Sequence, residues 1–263
     1  MDPLDDLADL VPRQIARGLA SGDLQPTPTR QHFLEEAGLR FSVRVIDGVD
    51  RKKRSRTEQD RTGVDPFMPP YADDLFVADV SPTHVVLLNK FPVLENHLLV
   101  VTRADEPQES ALTDADFTAL GACMGRLGGL GFYNAGPVAG ASQPHKHLQW
   151  IPLSGDVLET AELLREPGRG FACASVALSP EVPRVEAYRE LLARLEIAAT
   201  DPYNLLLTRD EMFVVPRTRH ACEGFALNAM GYAGSFLVRT TDDLERLKEV
   251  GARNVLAGAG RPE

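Results

Sequence analysis

The chain has 263 residues, of which 43% are hydrophobic and 25% charged, and its formal net charge is −10. This length and composition are those of a globular protein with a full hydrophobic core. The acidic balance argues against general binding to nucleic acid or to an anionic membrane, because a phosphate-rich surface attracts a surplus of Lys and Arg. No apolar run reaches the roughly 20 residues that a membrane helix needs.

The N-terminus and the cysteines indicate a reducing location. The first residues, MDPLDDLADL, are acidic where a secretory signal is basic and then apolar. Cys123, Cys173 and Cys222 are odd in number and far apart, so they predict neither a disulfide framework nor a CxxC metal site. We therefore expect a cytoplasmic protein.

The first part of the chain combines a helix, a strand and a charged loop. Apolar residues at helical spacing between residues 4 and 20 predict an amphipathic helix packed on the body of the protein. The alternation in FSVRVI, residues 41–46, predicts a strand. Residues 50–70 are charged and end in a Pro-rich turn, so we interpret them as a loop. Their basic run RKKRSR is either simply solvated or reaches over a polyphosphate.

The central part predicts strands and one helix. Residues 83–102 are typical of two strands around a turn that contains Asn89 and Lys90. Thr113 and Asp116 form a capping-box pattern that opens a helix ending at the glycine pair 128–129. A short strand then leads into a loop of small residues, and a further strand begins near residue 145.

The C-terminal part continues the mixture of helices and strands. We predict a strand over 171–178, a helix over 185–196, a hairpin over 203–217, a strand over 235–239 and a final capped helix over 241–256. Such a mixture predicts an α+β fold with a mainly antiparallel sheet. We expect an N-terminal helical segment over residues 1–40, a core over 41–155, and a C-terminal region over 156–263 packed on the core as one unit.

The stretch GASQPHKHLQW, residues 140–150, carries the chemistry. Side chains alternate faces in a strand, so His145, His147 and Gln149 are expected on one side and Leu148 and Trp150 on the other. The polar face then collects two imidazoles and an amide within about 7 Å. Lysine 146 does not fit the apolar face, so we expect either a strand near the sheet edge or a lysine with only its stem buried.

This polar row has three interpretations. Two imidazoles can bind a metal, but no Asp, Glu or Cys flanks them to complete the site. They can also be incidental residues of a half-buried strand. Alternatively, a neutral imidazole attacks phosphorus and holds a transferred group as a phosphoramidate. We favour the third, because the preceding segment offers donors for phosphate oxygens: the backbone N–H groups of residues 140–143, the Ser142 hydroxyl, and the amides of Gln143 and Asn134.

The stretch YNAGPVAGASQPHKHLQWIPL resembles the signature of the histidine-triad (HIT) superfamily, with Gln149 at the third triad position. A glutamine there is similar to the transferase branch, which includes diadenosine tetraphosphate phosphorylases (ATP adenylyltransferases) and galactose-1-phosphate uridylyltransferases. The segments DPFMPPYADDLFV, NKFPVLENHLLVVTR and NAMGYAGSFLVR resemble the phosphorylases, although Asp65 stands where that family often has Asn. The resemblance covers most of residues 40–240. It implies a HIT-like fold, with an antiparallel sheet flanked by helices, an N-terminal helix and a C-terminal extension.

The resemblance also implies a reaction. A nucleotidyltransferase of this kind cleaves diadenosine tetraphosphate with inorganic phosphate and releases ATP and ADP. His147 is implied as the nucleophile that becomes adenylylated, His145 as the residue that orients it, and Gln149 as a further catalytic residue. The implied substrate-binding residues are Asn134, Gly140, Ser142, Gln143, Lys53 and Lys90. We expect no protein-bound metal and no tightly bound cofactor, with Mg²⁺ or Mn²⁺ as an option on the substrate phosphates.

Two rival interpretations stay open. A hexose-1-phosphate uridylyltransferase would use the same nucleophile, but such enzymes commonly carry additional Cys and His metal ligands that are missing here. A nucleotide-binding sensor would keep the pocket without turnover.

Several further polar residues can be interpreted from the sequence. An amide at position 149 cannot exchange a proton with water as a histidine can, so we hypothesise that Gln149 preserves the intermediate for phosphate. We interpret His97 as structural and Asn89 as a turn residue. The basic cluster of Arg217, Arg219 and His220 is either a solvated loop or a contact to the distal phosphates or the nucleoside.

Overall fold

The structure is a computed structural model that describes residues 7–47, 65–153 and 161–263. Within those residues the strands are β1 Thr29–Glu36, β2 Leu39–Ile46, β3 Phe76–Asp79, β4 His84–Leu88, β5 Leu98–Thr102, β6 Leu130–Asn134, β7 His147–Ile151, β8 Ala174–Ala177, β9 Tyr203–Leu207, β10 Glu211–Pro216, β11 Ala221–Cys222, β12 Phe225–Ala226 and β13 Ser235–Val238. The helices are α1 Leu7–Ser21, α2 Asp114–Leu127, α3 Ala161–Arg165, α4 Arg184–Arg194, α5 Ala229–Tyr232, α6 Thr241–Val250 and α7 Ala252–Ala259.

The main sheet has eight strands in the order β3-β4-β5-β7-β6-β9-β10-β8. Every neighbouring pair in it is antiparallel. Strand β7, which carries the polar row, lies between β5 and β6 near the middle. The prediction of an α+β fold with a mainly antiparallel sheet is confirmed.

A smaller sheet ties the two ends of the chain together. Its order is β1-β2-β13, with β1 antiparallel and β13 parallel to β2. Because β13 comes from the C-terminal region and β2 from the N-terminal part, the two regions share one sheet.

The main sheet is covered on both faces. On one face Leu148 and Trp150 of β7 pack in a cluster with Leu120 of α2 and Leu191 of α4. The other face packs against the smaller sheet and the C-terminal helices in a cluster that includes Phe132 of β6. All residues of β4, β5, β6, β7 and β9 are buried in consequence. This explains why β4 and β5 are apolar runs with little alternation, whereas β7 alternates because it carries the polar row.

The local sequence signals predicted most elements correctly. The Thr113 hydroxyl accepts from the Asp116 N–H while the Asp116 carboxylate accepts from the Thr113 N–H, so the capping box opens α2 as expected. The hairpin is formed by β9 and β10. The predicted amphipathic helix is α1. Within the described residues, no helix is long and apolar enough to cross a membrane.

Three expectations differ from the structure. The segment 1–40 contains β1 besides its helix, and the domain boundaries themselves stay a prediction. The final helix is two helices, because Gly251 between them has a φ of 87°. The strand of the polar row is central, and Lys146 just before it is 0% exposed, so neither the edge position nor the solvent-reaching lysine is correct. The basic run and the candidate Lys53 lie outside the described residues.

Candidate active site

His147 opens β7 on the face of the main sheet that lies opposite α2. Its ring is buried, and its Nδ1 lies 2.8 Å from the backbone carbonyl oxygen of His145. A carbonyl oxygen only accepts hydrogen bonds, so Nδ1 carries a proton. In a neutral imidazole the lone pair is then on Nε2. The local backbone therefore selects the tautomer that a nucleophilic Nε2 requires.

The backbone of His147 is held by the side chain of Gln108. The Gln108 Oε1 accepts from the His147 N–H at 2.8 Å, and its Nε2 donates to the carbonyls of His147 at 3.2 Å and Asn134 at 2.9 Å. Gln108 is fully buried. Sequence reasoning missed this residue, because it lies about forty positions from His147 in a segment with no recognisable motif.

The His145 ring is turned to two acceptors. Its Nδ1 lies 2.6 Å from the Asp65 carboxylate and its Nε2 lies 2.8 Å from the Thr102 carbonyl. The Thr102 hydroxyl lies 3.1 Å from the same Nε2 and can donate to it. The group that orients His147 is thus the main-chain carbonyl of His145, while the His145 ring binds the turn at Asp65. The ring of Phe67 in that turn lies 5.0 Å from the His147 ring and 5.9 Å from the His145 ring.

Gln149 lies two residues after His147 on the same face. Its Oε1 is 3.0 Å from Nε2 of His97, and Nδ1 of His97 is 3.0 Å from the Asn89 amide. Hence His97, which we interpreted from the sequence as structural, contacts the third triad position directly, and Asn89, interpreted as a turn residue, contacts His97.

The side chain of Asn134 is oriented from the C-terminal region. Arg217 donates to Asn204 Oδ1 at 2.6 Å, and Asn204 Nδ2 donates to Asn134 Oδ1 at 2.8 Å. The Ala229 N–H donates to the same oxygen at 2.8 Å. With its oxygen bound twice, Asn134 is left with its NH₂ group as the end that can serve a substrate.

Arg217 is buried, and its guanidinium also donates to the carbonyls of Ala139, Arg219, Leu227 and Ala259. Burial lowers the pKa of this guanidinium. The interpretation of Arg217 as a solvated residue is therefore wrong, whereas a contact to the substrate stays a prediction.

The small-residue loop satisfies part of its backbone hydrogen bonding internally. The N–H groups of Gly140 and Ala141 donate to the carbonyls of Pro137 and Gly136, so the expectation that they serve phosphate does not fit the structure. Ser142 and Gln143 are half-buried and stay candidate donors. A Cβ added to Gly140 would lie 2.4 Å from the Leu227 carbonyl oxygen. Gly140 thus allows the loop to touch the C-terminal region.

Family models match nearly the whole chain. The Ap4A phosphorylase N-terminal domain matches residues 3–162, and the ATP adenylyltransferase C-terminal domain matches residues 169–262. The chain belongs to the Ap4A phosphorylase (ATP adenylyltransferase) family. The resemblance seen in the sequence is confirmed, and this is a family of enzymes.

Yeast proteins are among the relatives that are similar to this Ap4A phosphorylase family member. Diadenosine 5',5'''-P1,P4-tetraphosphate phosphorylase 2 of Saccharomyces cerevisiae is 31% identical over 80% of this chain and 79% of its own length. The crystal structure of yeast Ap4A phosphorylase Apa2 in complex with Ap4A has a TM-score of 0.82 at 25% identity, covering 98% of both chains. The complex of Apa2 with AMP has a TM-score of 0.81 at 26% identity, again over 98% of both chains.

Behind β7, the family member contains a buried ion pair. The Lys146 ammonium lies 2.8 Å from the Asp116 carboxylate and 3.2 Å from that of Glu106, and His84 Nε2 lies 3.0 Å from Asp116. Burial raises the pKa of Asp116, but hydrogen bonds from His84 and Lys146 together with the lysine charge outweigh it, so the pKa is lowered from 3.8 to about 2. The pair faces α2, away from the nucleophile, and supports the strand that holds it.

Two further candidates concern cations. Lys90 is half-buried, with its ammonium 5.7 Å from the Phe91 ring centre, in the turn that leads to His97. Asp65, Asp105 and His145 offer potential metal-ligand atoms within 4.8 Å of one another. The His145 nitrogens lie at hydrogen-bond distance from Asp65 and Thr102, and the expectation of no protein-bound metal stays a prediction.

Proposed function

We propose that this chain phosphorolyses diadenosine tetraphosphate, so that the dinucleotide and inorganic phosphate give ATP and ADP. Membership of the Ap4A phosphorylase family and the likeness to a structure that holds Ap4A support the substrate class. The observation that carries the chemistry is the 2.8 Å bond from His147 Nδ1 to the His145 carbonyl, which leaves the lone pair on Nε2.

The first step is attack of His147 Nε2 on an α-phosphorus. A P–N bond forms, the bond from phosphorus to the bridging oxygen breaks, and ATP leaves with the electron pair. The adenylylated ring keeps its Nδ1 proton and carries positive charge. The carbonyl dipole of His145 is placed at Nδ1, where it stabilises that charge.

In the second step a phosphate oxygen attacks the same phosphorus. The P–N bond breaks, ADP leaves, and Nε2 recovers its lone pair. Because one nucleophile serves both halves of the reaction, the kinetics are expected to be ping-pong.

Donors around the phosphorus stabilise the negative charge that develops in both steps. The NH₂ groups of Asn134 and Gln149 and the Ser142 and Gln143 side chains are the proposed donors. Phe132, which pairs with Gln149 across the strands, is two residues from Asn134, so Asn134 and Gln149 belong to the same face of the sheet. The Gln149 amide cannot act as a general acid or base toward water, as a histidine could, which favours phosphate as the acceptor.

Further parts of the proposal concern charge and location. Lys90 and Lys53 are proposed to neutralise the polyphosphate, and any Mg²⁺ or Mn²⁺ is proposed to arrive bound to the substrate phosphates. The reduced cysteines agree with the proposed cytoplasmic location.

The test is the fate of labelled phosphate. With Ap4A and ¹⁸O-labelled phosphate, we expect equal amounts of ATP and ADP, with the label only in the β-phosphoryl group of ADP. His147→Ala is expected to abolish both products. His32→Ala, a histidine exposed on β1, is the matched control and keeps full activity. Formation of AMP and ATP, or label in ATP, would refute phosphorolysis.

A further inference from the structure

The hydrogen bonds around His97 have a fixed direction, because they start at a peptide N–H. The Phe91 N–H donates to Asn89 Oδ1 at 3.1 Å. A peptide N–H only donates, so the oxygen of the Asn89 amide must face it. The NH₂ group of Asn89 is then the end that meets His97 Nδ1 at 3.0 Å.

The His97 imidazole passes this donor-to-acceptor direction on to Gln149. Since Nδ1 of His97 accepts from Asn89, the neutral ring carries its proton on Nε2. That Nε2 lies 3.0 Å from Gln149 Oε1, to which it donates. The ring is also held in place by Phe132, whose ring centre is 5.7 Å away.

These hydrogen bonds form a relay from the Phe91 N–H through Asn89 and His97 to Gln149. The relay fixes the orientation of the Gln149 side-chain amide. Its oxygen faces His97, and its NH₂ group faces the opposite side. This NH₂ group has no acceptor among the described residues. Gln149 stands two residues from His147 on one face of the strand, about 7 Å along it.

We propose that Asn89 and His97 are positioning residues that fix the Gln149 amide with its NH₂ group toward the phosphoryl group on His147. This inference rests on the proposed function. An amide without the relay can turn by 180° and present its oxygen instead, which repels a phosphate oxygen. Because both chemical steps occur at the same phosphorus, loss of the relay slows both the adenylylation of His147 and the transfer of the adenylyl group to phosphate.

The first test is a double-mutant cycle on phosphorolysis of Ap4A, with His97→Phe, Gln149→Ala and the double variant. We expect His97→Phe to lower kcat/KM about 10- to 100-fold in the wild-type background, which is less than the roughly 100- to 1,000-fold cost of removing one transition-state donor, because the Gln149 amide is still present. In the Gln149→Ala background we expect less than about a twofold further loss, because His97 acts through Gln149. An equal loss in both backgrounds, or no loss in the wild type, would overturn the proposal.

A second variant guards against a folding defect. Asn89→Ala removes the start of the relay at a half-buried turn and leaves the His97 ring in place. It should show the same dependence on Gln149, with a smaller effect. If Asn89→Ala lowers kcat/KM by the same factor with and without Gln149, the result counts against the relay.

A measurement on the unmodified protein does not depend on activity. Two-bond ¹H–¹⁵N correlations of the His97 ring are expected to show the proton on Nε2 and a lone pair on Nδ1. A proton on Nδ1 overturns the relay even in an active enzyme. Wild-type protein that forms no ATP and ADP refutes the proposed function, whereas active protein with an independent cycle refutes the relay alone.

Discussion

The side-chain amide of Gln108 takes the place of a peptide group next to the backbone of His147. It accepts from the His147 N–H at 2.8 Å and donates to the His147 carbonyl at 3.2 Å. The ladder between β6 and β7 extends to the pair Phe132 and Gln149, and Gln108 continues it by donating to the Asn134 carbonyl. One buried amide thus joins the strand of the nucleophile to the strand of a proposed phosphate donor.

Replacing Gln108 by Leu keeps most of the side-chain volume but leaves three buried backbone groups without their partner. Each unsatisfied group costs about 1–3 kcal/mol, so we expect the free energy of unfolding to fall by about 3 kcal/mol or more. We also expect kcat to fall at least tenfold, because the backbone that positions His147 loosens. Urea denaturation and initial rates measure the two effects.

The matched control for this change is Gln25→Leu. The Gln25 side chain makes one exposed hydrogen bond, to the Gly22 carbonyl, so its loss should change the unfolding free energy by less than about 0.5 kcal/mol. Equal losses of unfolding free energy in the two variants would show that Gln108 does not stabilise the fold more than an exposed glutamine does.

The Asp116–Lys146 pair predicts a pH dependence of stability. The pKa of Asp116 is lowered to about 2 in the folded protein. A lowered folded pKa contributes stability that is fully present above the unfolded value, near 4, and is lost as the pH falls through about 2. Asp116→Asn should cost about 3–5 kcal/mol at pH 7, because it leaves the buried Lys146 ammonium without its closest partner.

The difference in unfolding free energy between wild type and Asp116→Asn should then shrink by about 2 kcal/mol between pH 4 and pH 2. Guanidinium denaturation at a series of pH values measures it. The exposed Asp210→Asn serves as control and should show no such narrowing. A difference that stays constant over this range would contradict the assigned ion pair.

Gly140→Ala tests the contact of the loop with the C-terminal region. Gly140 has a φ of 94°, and the added Cβ would meet the Leu227 carbonyl at 2.4 Å. Gly22 has a φ of 83° with nothing within 4 Å of an added Cβ, so Gly22→Ala has only the backbone cost of about 1 kcal/mol. We expect Gly140→Ala to lower stability by more than this control and to reduce kcat/KM strongly, as measured by thermal unfolding and steady-state kinetics. Similar stability and activity of the two variants would argue against a tight loop contact.

The sequence predicts those features whose signals are local. The capping box of α2, the hairpin of β9 and β10, and the polar face of β7 each follow from residues within a few positions of one another. Leu148 and Trp150 face the helices, as the alternation requires. The family resemblance supplied the fold and the reaction class, because its motifs are specific in spacing.

Contacts between distant residues could not be read in this way. A lysine in a strand suggests a surface, and the buried position of Lys146 depends on Asp116, 30 residues away. His97 meets Gln149 across 52 positions, and no periodicity links them. Arg217 is buried because the carbonyls around it come together only in the fold.

The central claim is that His147 forms a covalent bond to an adenylyl group. The most direct measurement is mass spectrometry of the protein after brief incubation with Ap4A in the absence of phosphate, with the modified peptide sequenced. We expect one acid-labile AMP adduct, located on His147, that disappears with formation of ADP when phosphate is added. The absence of an adduct under conditions that support turnover, or an adduct on another residue, would contradict the account.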